Sequence, residues 1–310
     1  MQIARDLTPG LANRATVLTI GRFDGVHLGH QQLIRTTVER ARALDMLSAV
    51  LTWEPHPRAV LQPDQPLQLL SDLDEKIEQI RRLEPDLLII APFTPAIRNL
   101  TAAEYMAIIM AALPVREIWV GEDFAMGRGR EGDIPRLMEL RREMGFAVGA
   151  LSKYKVAGIP VSSSRIRELV LAGNVSGASA LLGRPFALRG IVTRGDGRGR
   201  LIGFPTANVQ VSHDVVLPAN GVYVCRAYLA TGQVISAVTN VGVRPTFAGT
   251  QRVVEAHLLN WEGDLYDQPL RVEFLMRLRD ERKFSGVDDL VNQIKRDVAE
   301  AQAILGEQSR

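Results

Sequence analysis

The segment Gly21-Arg22-Phe23-Asp24-Gly25-Val26-His27-Leu28-Gly29-His30 places two histidines three positions apart at the opening of a helical pattern. Side chains at that spacing share a helix face. A helix N-terminus presents unpaired N–H groups and the positive end of the dipole, so it receives phosphate. Two imidazoles added there create a place to stabilise charge on a nucleotide α-phosphate during in-line attack. Gly21, Phe23, Asp24, Gly25 and Gly29 complete the candidate nucleotide pocket, with Gly25 and Gly29 letting the backbone approach the nucleotide. The same spacing could serve a zinc half-site, but no third ligand and no HExxH pattern accompanies it. An ordinary capped helix start is the other reading.

Val161-Ser162-Ser163-Ser164-Arg165-Ile166-Arg167 opens a second helix. Hydroxyls of Ser163 and Ser164 with the Arg167 guanidinium can bind ATP phosphates and neutralise a pyrophosphate leaving group. Serines at a helix start are also plain caps.

The C-terminal half carries a different set. Arg194-Gly195-Asp196-Gly197-Arg198-Gly199-Arg200 has the glycines of a dinucleotide fingerprint, yet Gly203-Phe204-Pro205 follows at once and resumes an extended chain. A basic flap over an ATP phosphate tail, with Gly197 and Gly199 at its turn, fits better, and an exposed hairpin is the alternative. Thr206 and Asn208 then lie two apart on an extended segment and project from one face. Their neutral oxygens suit Mg²⁺, which takes few protein ligands while phosphates and waters supply the rest. In Arg252-Val253-Val254-Glu255-Ala256-His257-Leu258, period two separates Val254, Ala256 and Leu258 from Glu255 and His257. A carboxylate in that setting could take a proton from an alcohol attacking ATP, although a lone Glu on a strand is usually only solvated.

These groups must be held by two different textures. Up to about residue 183, apolar runs at Thr16–Ile20, Leu47–Thr52, Leu87–Ala91 and Ile118–Val120 alternate with helical patterns. Those helices run from about Leu28 to Leu44, from a Ser71 cap to Arg82, from the Thr101/Glu104 capping box to Leu113, and over Ile134–Met144. Alternation of this kind predicts parallel crossovers and a doubly wound α/β sheet. After Gly183-Arg184-Pro185 the helical period vanishes. Leu188–Thr193, Pro205–Val211, Val222–Leu229, Val234–Asn240, Val253–Asn260 and Leu270–Leu278 read as strands divided by Gly, Pro and Asn. They predict a six-stranded antiparallel β-barrel, closed by an amphipathic helix over Val287–Leu305. Two domains are expected, 1–183 and 184–310.

Composition excludes several classes. With 46% hydrophobic and 23% charged residues among 310, the chain can bury two cores and is not disordered. Net charge is only +2, which argues against an extended nucleic-acid surface. The single cysteine, Cys225, rules out an intrachain disulfide and fits a reducing compartment. Neither a signal-peptide core nor an apolar run of membrane-spanning length is present, so a cytoplasmic protein without a membrane partner is expected.

The string from Gly21 to His30 resembles the HxGH signature of the nucleotidyltransferase superfamily, whose domain is Rossmann-like. The Val161–Arg167 segment resembles that superfamily's ISSTxIR motif, with Ser164 in place of the threonine. Thr52-Trp53-Glu54-Pro55-His56-Pro57, Gly121-Glu122-Asp123-Phe124 and Leu181-Leu182-Gly183-Arg184-Pro185-Phe186 narrow the likeness to bacterial bifunctional riboflavin kinase/FMN adenylyltransferases (FAD synthetases). The segments Gly203–Asn208, Asn240–Thr246, Val254–His257, Gly263–Tyr266 and Leu278–Glu281 follow in the order of a riboflavin kinase domain.

The resemblance implies that His27, His30 and Arg167 serve adenylyl transfer and that Asp123 and Phe124 line the FMN side. It implies that Thr206 and Asn208 handle Mg-ATP and that Glu255 is the base for the ribityl 5′-hydroxyl. Riboflavin, FMN and ATP would be substrates, Mg²⁺ the metal, and FMN and FAD the product ligands. Arg22 stands where the family commonly has a small polar residue, and Met126 where an aromatic is frequent. Two rivals remain at this stage: transfer to another phosphate acceptor with a non-catalytic barrel, and a nucleic-acid-binding barrel. The latter needs stacking aromatics, and aromatics are only 5%.

Overall fold

The computed structural model describes residues 1–195, 197–246 and 249–307. It divides into two compact units, Met1–Leu67 with Leu73–Ser162, and Gln68–Asp72 with Ser163–Arg310.

In the first unit, strands β1 (Gln2–Ala4), β2 (Thr16–Ile20), β3 (Leu47–Glu54), β4 (Leu87–Pro92), β5 (Val115–Gly121) and β6 (Ala147–Leu151) form one sheet. Their order is β1-β4-β3-β2-β5-β6, and every pairing is parallel. Strand β2 is buried at all its positions, the pattern required of a strand covered on both faces. Helix α1 (Leu28–Ala43) joins β2 to β3; α2 (Pro57–Leu61) and α3 (Leu73–Arg81) lie between β3 and β4. Helices α4 (Pro95–Asn99) and α5 (Ala102–Ala112) precede β5, and α6 (Ile134–Met144) precedes β6.

The pleat assigns the two cores. Val50, Leu88 and Ile90 pack with Leu33, Ile34 and Val38 of α1 and Ile77 and Ile80 of α3. Their strand neighbours Leu51, Leu87 and Ile89 face the other way, toward Met106 and Ile109 of α5 and Leu137 and Leu140 of α6. The Thr101/Glu104 capping box forms as expected, with both reciprocal bonds made. Helix α3 starts at Leu73, two residues after the expected Ser71 cap. A short hairpin, β7 (Lys155–Val156) and β8 (Ile159–Pro160), ends the unit.

The second unit opens with α7 (Ser163–Leu171) and α8 (Val175–Leu182), followed by β9 (Phe186–Thr193), a single turn α9 (Arg198–Leu201) and β10 (Ala207–Val211). Strands β11 (Gly221–Leu229), β12 (Val234–Thr246), β13 (Gly249–Leu258) and β14 (Pro269–Arg279) complete a closed barrel in the order β10-β13-β12-β11-β14-β9. All barrel pairings are antiparallel. Because β9 and β10 are antiparallel neighbours, the glycine-rich stretch between them is no βαβ crossover, as the sequence predicts. The C-terminal helix α10 (Val287–Glu307) lays Ala301 and Leu305 on Val222, Val224 and Val238. Arg279 ties it down with a forked bond to Asp297, at 2.9 and 2.7 Å.

The expected boundary at 183/184 falls inside this second unit. Helix α8 buries Ala178, Leu181 and Leu182 and packs on β14, where the Ser176 hydroxyl donates to the Leu275 carbonyl at 3.0 Å. Leu69 joins the same unit through backbone bonds with Asp214 and Val216, at 2.6 and 2.8 Å.

Candidate active sites

In the first unit the strand order reverses at β2. The chain winds from β2 toward β3 and β4 on one side, and β5 and β6 fill the other. Open α/β sheets bind ligands in the crevice at the carboxyl ends of the strands flanking such a switch point. Here the end of β2 carries the Gly21–His30 loop and the end of β5 carries Asp123 and Phe124.

The loop is tightly specified. Phe23 and Val26 adopt left-handed φ values of 50° and 40°, and Gly25 sits at 75°. A Cβ at Gly21 would lie 2.9 Å from the Phe23 ring, and one at Gly29 would lie 3.3 Å from the His27 ring. Phe23, Asp24, Gly25, Val26 and His27 are all buried. Backbone in the left-handed region is retained only where the surroundings enforce it. His27 is the N-cap of α1, its Nδ1 accepting from the His30 N–H at 3.3 Å. That bond leaves His27 as the tautomer whose N–H is on Nε2.

The His27 and His30 rings stack with centroids 3.6 Å apart and an interplanar angle of 13°, and the Phe23 ring meets His30 edge-on at 5.3 Å. Burial holds His30 well below the ordinary imidazole range, helped by His27, Arg22 and Lys76. His30 is therefore neutral at pH 7, and its Nδ1 is buried with no hydrogen-bond partner among the described residues. A neutral His30 stacked on the N-cap histidine provides a directed N–H donor at the helix start.

Asp123 is well exposed, 3.5 Å from the Lys153 ammonium, and Phe124 is half-buried, its N–H bonded to the Gly121 carbonyl. Met126, in the family's frequent aromatic position, is buried in the core beneath and bridges to Gly132. Arg22 is exposed.

Ser163, Ser164 and Arg167 belong to the second unit. The serines open α7, and the Arg167 Nε donates to the Gln68 carbonyl at 2.6 Å, fixing the guanidinium's direction.

In the barrel the alternation read from the sequence holds: Val254, Ala256 and Leu258 are buried, while Glu255 and His257 are half-buried on the other face. Strand β13 sits between β10 and β12, so Glu255 is the direct register partner of both Asn208 and Asn240. The Arg244 guanidinium joins the group, with one nitrogen donating to Glu255 Oε1 at 2.6 Å and Asn208 Oδ1 at 3.0 Å. Thr206 is exposed just before β10, and His257 Nδ1 lies 2.8 Å from the Pro205 carbonyl. The glycines serve close approach here. A Cβ at Gly195 would fall 2.3 Å from the Asn208 amide, and one at Gly199 would fall 2.4 Å from the Phe204 carbonyl. Gly197 caps α9 with φ 68°.

The donors in this corner are neutral or carboxylate oxygens, the chemistry a magnesium ion prefers. Among the described residues no group of three His, Cys, Asp or Glu could hold a metal by itself. Thr206 and Asn208 each bring a neutral side-chain oxygen to this corner.

Two family models match successive parts of the chain. Residues 11–165 match the FAD synthetase family model, and residues 182–305 match the riboflavin kinase model. The bifunctional riboflavin kinase/FMN adenylyltransferase of Escherichia coli K12 is 35% identical over 291 residues, covering 94% of this chain and 93% of its own. The chain belongs to the bifunctional riboflavin kinase/FMN adenylyltransferase family. The Pseudomonas fluorescens enzyme of that name is 38% identical over 294 residues, covering 94% of each chain. A Streptococcus pneumoniae crystal structure described as a macrolide-efflux protein matches with TM-score 0.87 at 30% identity, covering 97% of this chain and 98% of that one. Among the described residues no helix is long and apolar enough to cross a membrane.

Two residues of this family member escaped the sequence reading. Arg244 lies within the quoted Asn240–Thr246 motif, but only the β12–β13 register brings it to Glu255. Lys76 is buried in α3, and that burial holds its ammonium below the ordinary lysine range, with the Asp24 and Glu54 charges opposing the shift. A lysine amid otherwise apolar helix positions was its only signal.

Proposed function

We propose that residues 1–183 adenylylate FMN and residues 184–310 phosphorylate riboflavin, so that one chain makes FAD from riboflavin and two ATP molecules. The observation that carries the reading is that two phosphate-handling clusters, the stacked His27–His30 pair and the Asn208–Arg244–Glu255 group, sit in separate compact units. A barrel with its own carboxylate and its own match to a kinase family disfavours a non-catalytic appendage.

In the kinase reaction the riboflavin 5′-oxygen attacks the ATP γ-phosphorus, its proton passes to the Glu255 carboxylate, and ADP leaves. Arg244 anchors Oε1 of that carboxylate and so sets its direction. Thr206 and Asn208 orient the ATP phosphates, with Gly197 and Gly199 at the turn that covers them. Mg²⁺, when bound with ATP, supplies positive charge to the phosphate oxygens.

In the second reaction an FMN phosphate oxygen attacks the ATP α-phosphorus, and the bond to the β-phosphate breaks to release pyrophosphate. His27 and His30 donate hydrogen bonds to oxygens on which charge grows. Gly21, Phe23, Asp24, Gly25 and Gly29 shape the nucleotide loop, and Asp123 and Phe124 line the flavin side. Ser163, Ser164 and Arg167 bind the ATP phosphates and neutralise the leaving pyrophosphate. No covalent enzyme intermediate is needed, so positioning and charge stabilisation carry both steps.

The direct test is to incubate the protein with riboflavin, ATP and Mg²⁺ and separate the flavins. FMN should form first and FAD afterwards; formation of neither overturns the reading.

Truncation tests the division. A fragment starting at residue 184 is expected to phosphorylate riboflavin and never to yield FAD, and FAD from that fragment would refute the assignment. Starting instead at Ser163 keeps Leu181 and Leu182, which are 6% and 2% exposed. Each fully buried leucine is worth about 1.5–3 kcal/mol, so the longer fragment should melt at a clearly higher temperature. Equal melting temperatures would mean that α8 contributes nothing to the barrel.

A further inference from the structure

Three side chains of the second unit converge on Asn220, the residue before β11. Arg252 Nε donates to Asn220 Oδ1 at 3.2 Å, while its two Nη atoms donate to the Leu217 and Pro218 carbonyls. Arg277 Nη2 donates to the Asn220 carbonyl at 2.6 Å. With both oxygens held, the Asn220 amide turns its Nδ2 to Glu281 Oε2, at 3.0 Å. Glu281 itself follows β14, on a segment braced by the Arg277–Asp280 ion pair at 2.9 Å and by the Arg279–Asp297 fork.

The second oxygen of Glu281 lies over bare backbone. A Cβ at Gly242 would fall 2.5 Å from Glu281 Oε1 and 3.1 Å from the Asn240 amide nitrogen. Glu281 and Asn240 thus flank one glycine of β12, and Glu281 is open to solvent. Asn240 is in turn the register partner of Glu255. Gly242 lies two residues farther along the same face, about 6.6 Å on. Strand β13, which carries Glu255, has β10 with Asn208 on one side and β12 with Asn240 on the other. Phosphoryl transfer needs the attacking and leaving oxygens roughly in line. With ATP handled from the β10 side, the alcohol comes from the β12 side, where Glu281 stands.

We propose that Glu281 is a substrate-binding residue for riboflavin phosphorylation: its Oε1 accepts a hydrogen bond from a ribityl hydroxyl other than the reacting one. Asn220, fixed by Arg252 and Arg277, positions the carboxylate. The inference rests on the Glu255 reading above and supplies the alcohol side of that site. A carboxylate suits a polyol because hydroxyls donate to it in strong, charge-assisted bonds. Gly242 leaves the room, since any side chain there would displace the carboxylate.

The test uses the full chain with Glu281→Ala and Glu281→Gln. Losing a hydrogen bond to a charged acceptor costs about 10- to 100-fold in affinity. KM for riboflavin should rise by that factor in Glu281→Ala, with kcat and KM for ATP within a few-fold of the parent. Glutamine keeps a neutral acceptor, so Glu281→Gln should fall between. Lumiflavin has the same ring system without the ribityl chain, and as a competitor of riboflavin it should keep the parent Ki in both variants. Asn220→Ala releases the carboxylate and should raise the riboflavin KM in the same direction. If Glu281→Ala does not fold, Glu281→Gln and Asn220→Ala carry the same measurements. An unchanged riboflavin KM overturns the proposal. So does an equal weakening of lumiflavin, which marks a ring contact or a distorted barrel. Glu255→Gln separates the two claims: near-normal phosphorylation in that variant sinks the base reading itself. A collapsed kcat in Glu255→Gln beside an unchanged riboflavin KM in Glu281→Ala sinks only the Glu281 assignment.

Discussion

Glu255→Gln is expected to abolish most riboflavin phosphorylation while leaving adenylylation of supplied FMN at the parent rate. A primary alcohol is a poor nucleophile at neutral pH, and a positioned base contributes ~10²–10⁴-fold. Glutamine keeps the size and can still accept the Arg244 hydrogen bond through its amide oxygen, yet it cannot take a proton. The Arg244–Glu255 pair is partly solvated, with side chains 31% and 26% exposed. Pairs with that much solvent are worth only ~0–1 kcal/mol, so the barrel should remain folded. Assaying both activities on one preparation makes the contrast decisive. Near-normal phosphorylation would refute Glu255 as the base. Equal loss of both activities would reveal a folding defect or coupling between the units.

His30→Ala should give the mirror image, with FMN accumulating from riboflavin and FAD formation falling ~10²–10³-fold, the usual cost of one donor to a charge that develops in the transition state. Alanine also removes the ring stacked on His27 at 3.6 Å. His30→Phe restores an aromatic face without an N–H, and it should lose as much activity. Recovery of FAD synthesis by His30→Phe would show that the stack, not the donor, is what matters. Retention of FMN-to-FAD conversion within a few-fold by both variants would remove His30 from the phosphate chemistry.

Much of this was legible before any coordinates. The Val254–Leu258 alternation placed Glu255 on the face opposite the buried valine and alanine, because a strand's period of two leaves no other choice. Thr101 and Glu104 announced a helix start, and the bonds are there. The histidines' shared face followed from their spacing alone. Signals shorter than a period were silent. Strand β1 has three residues and exists through its pairing of Gln2 with Leu87. The expected boundary at 183/184 left residues 163–183 with the α/β half, yet α8 spends its apolar face on the barrel.

The sequence by itself determined the two element textures, the order of the motifs and the residue types able to handle phosphate, since these depend on local periodicity and side-chain chemistry. Only the tertiary structure decided which groups meet. Arg244 reaches Glu255 because β12 and β13 pair in one register, and a slip of one residue would turn it to the opposite face. Lys76 is buried because α3 docks on a turn about fifty residues earlier in the chain. The neutral state of His30 likewise comes from burial and three neighbouring positive or titratable groups, one of them Lys76. Contacts between residues far apart in sequence are set by packing and register, and no local pattern encodes them.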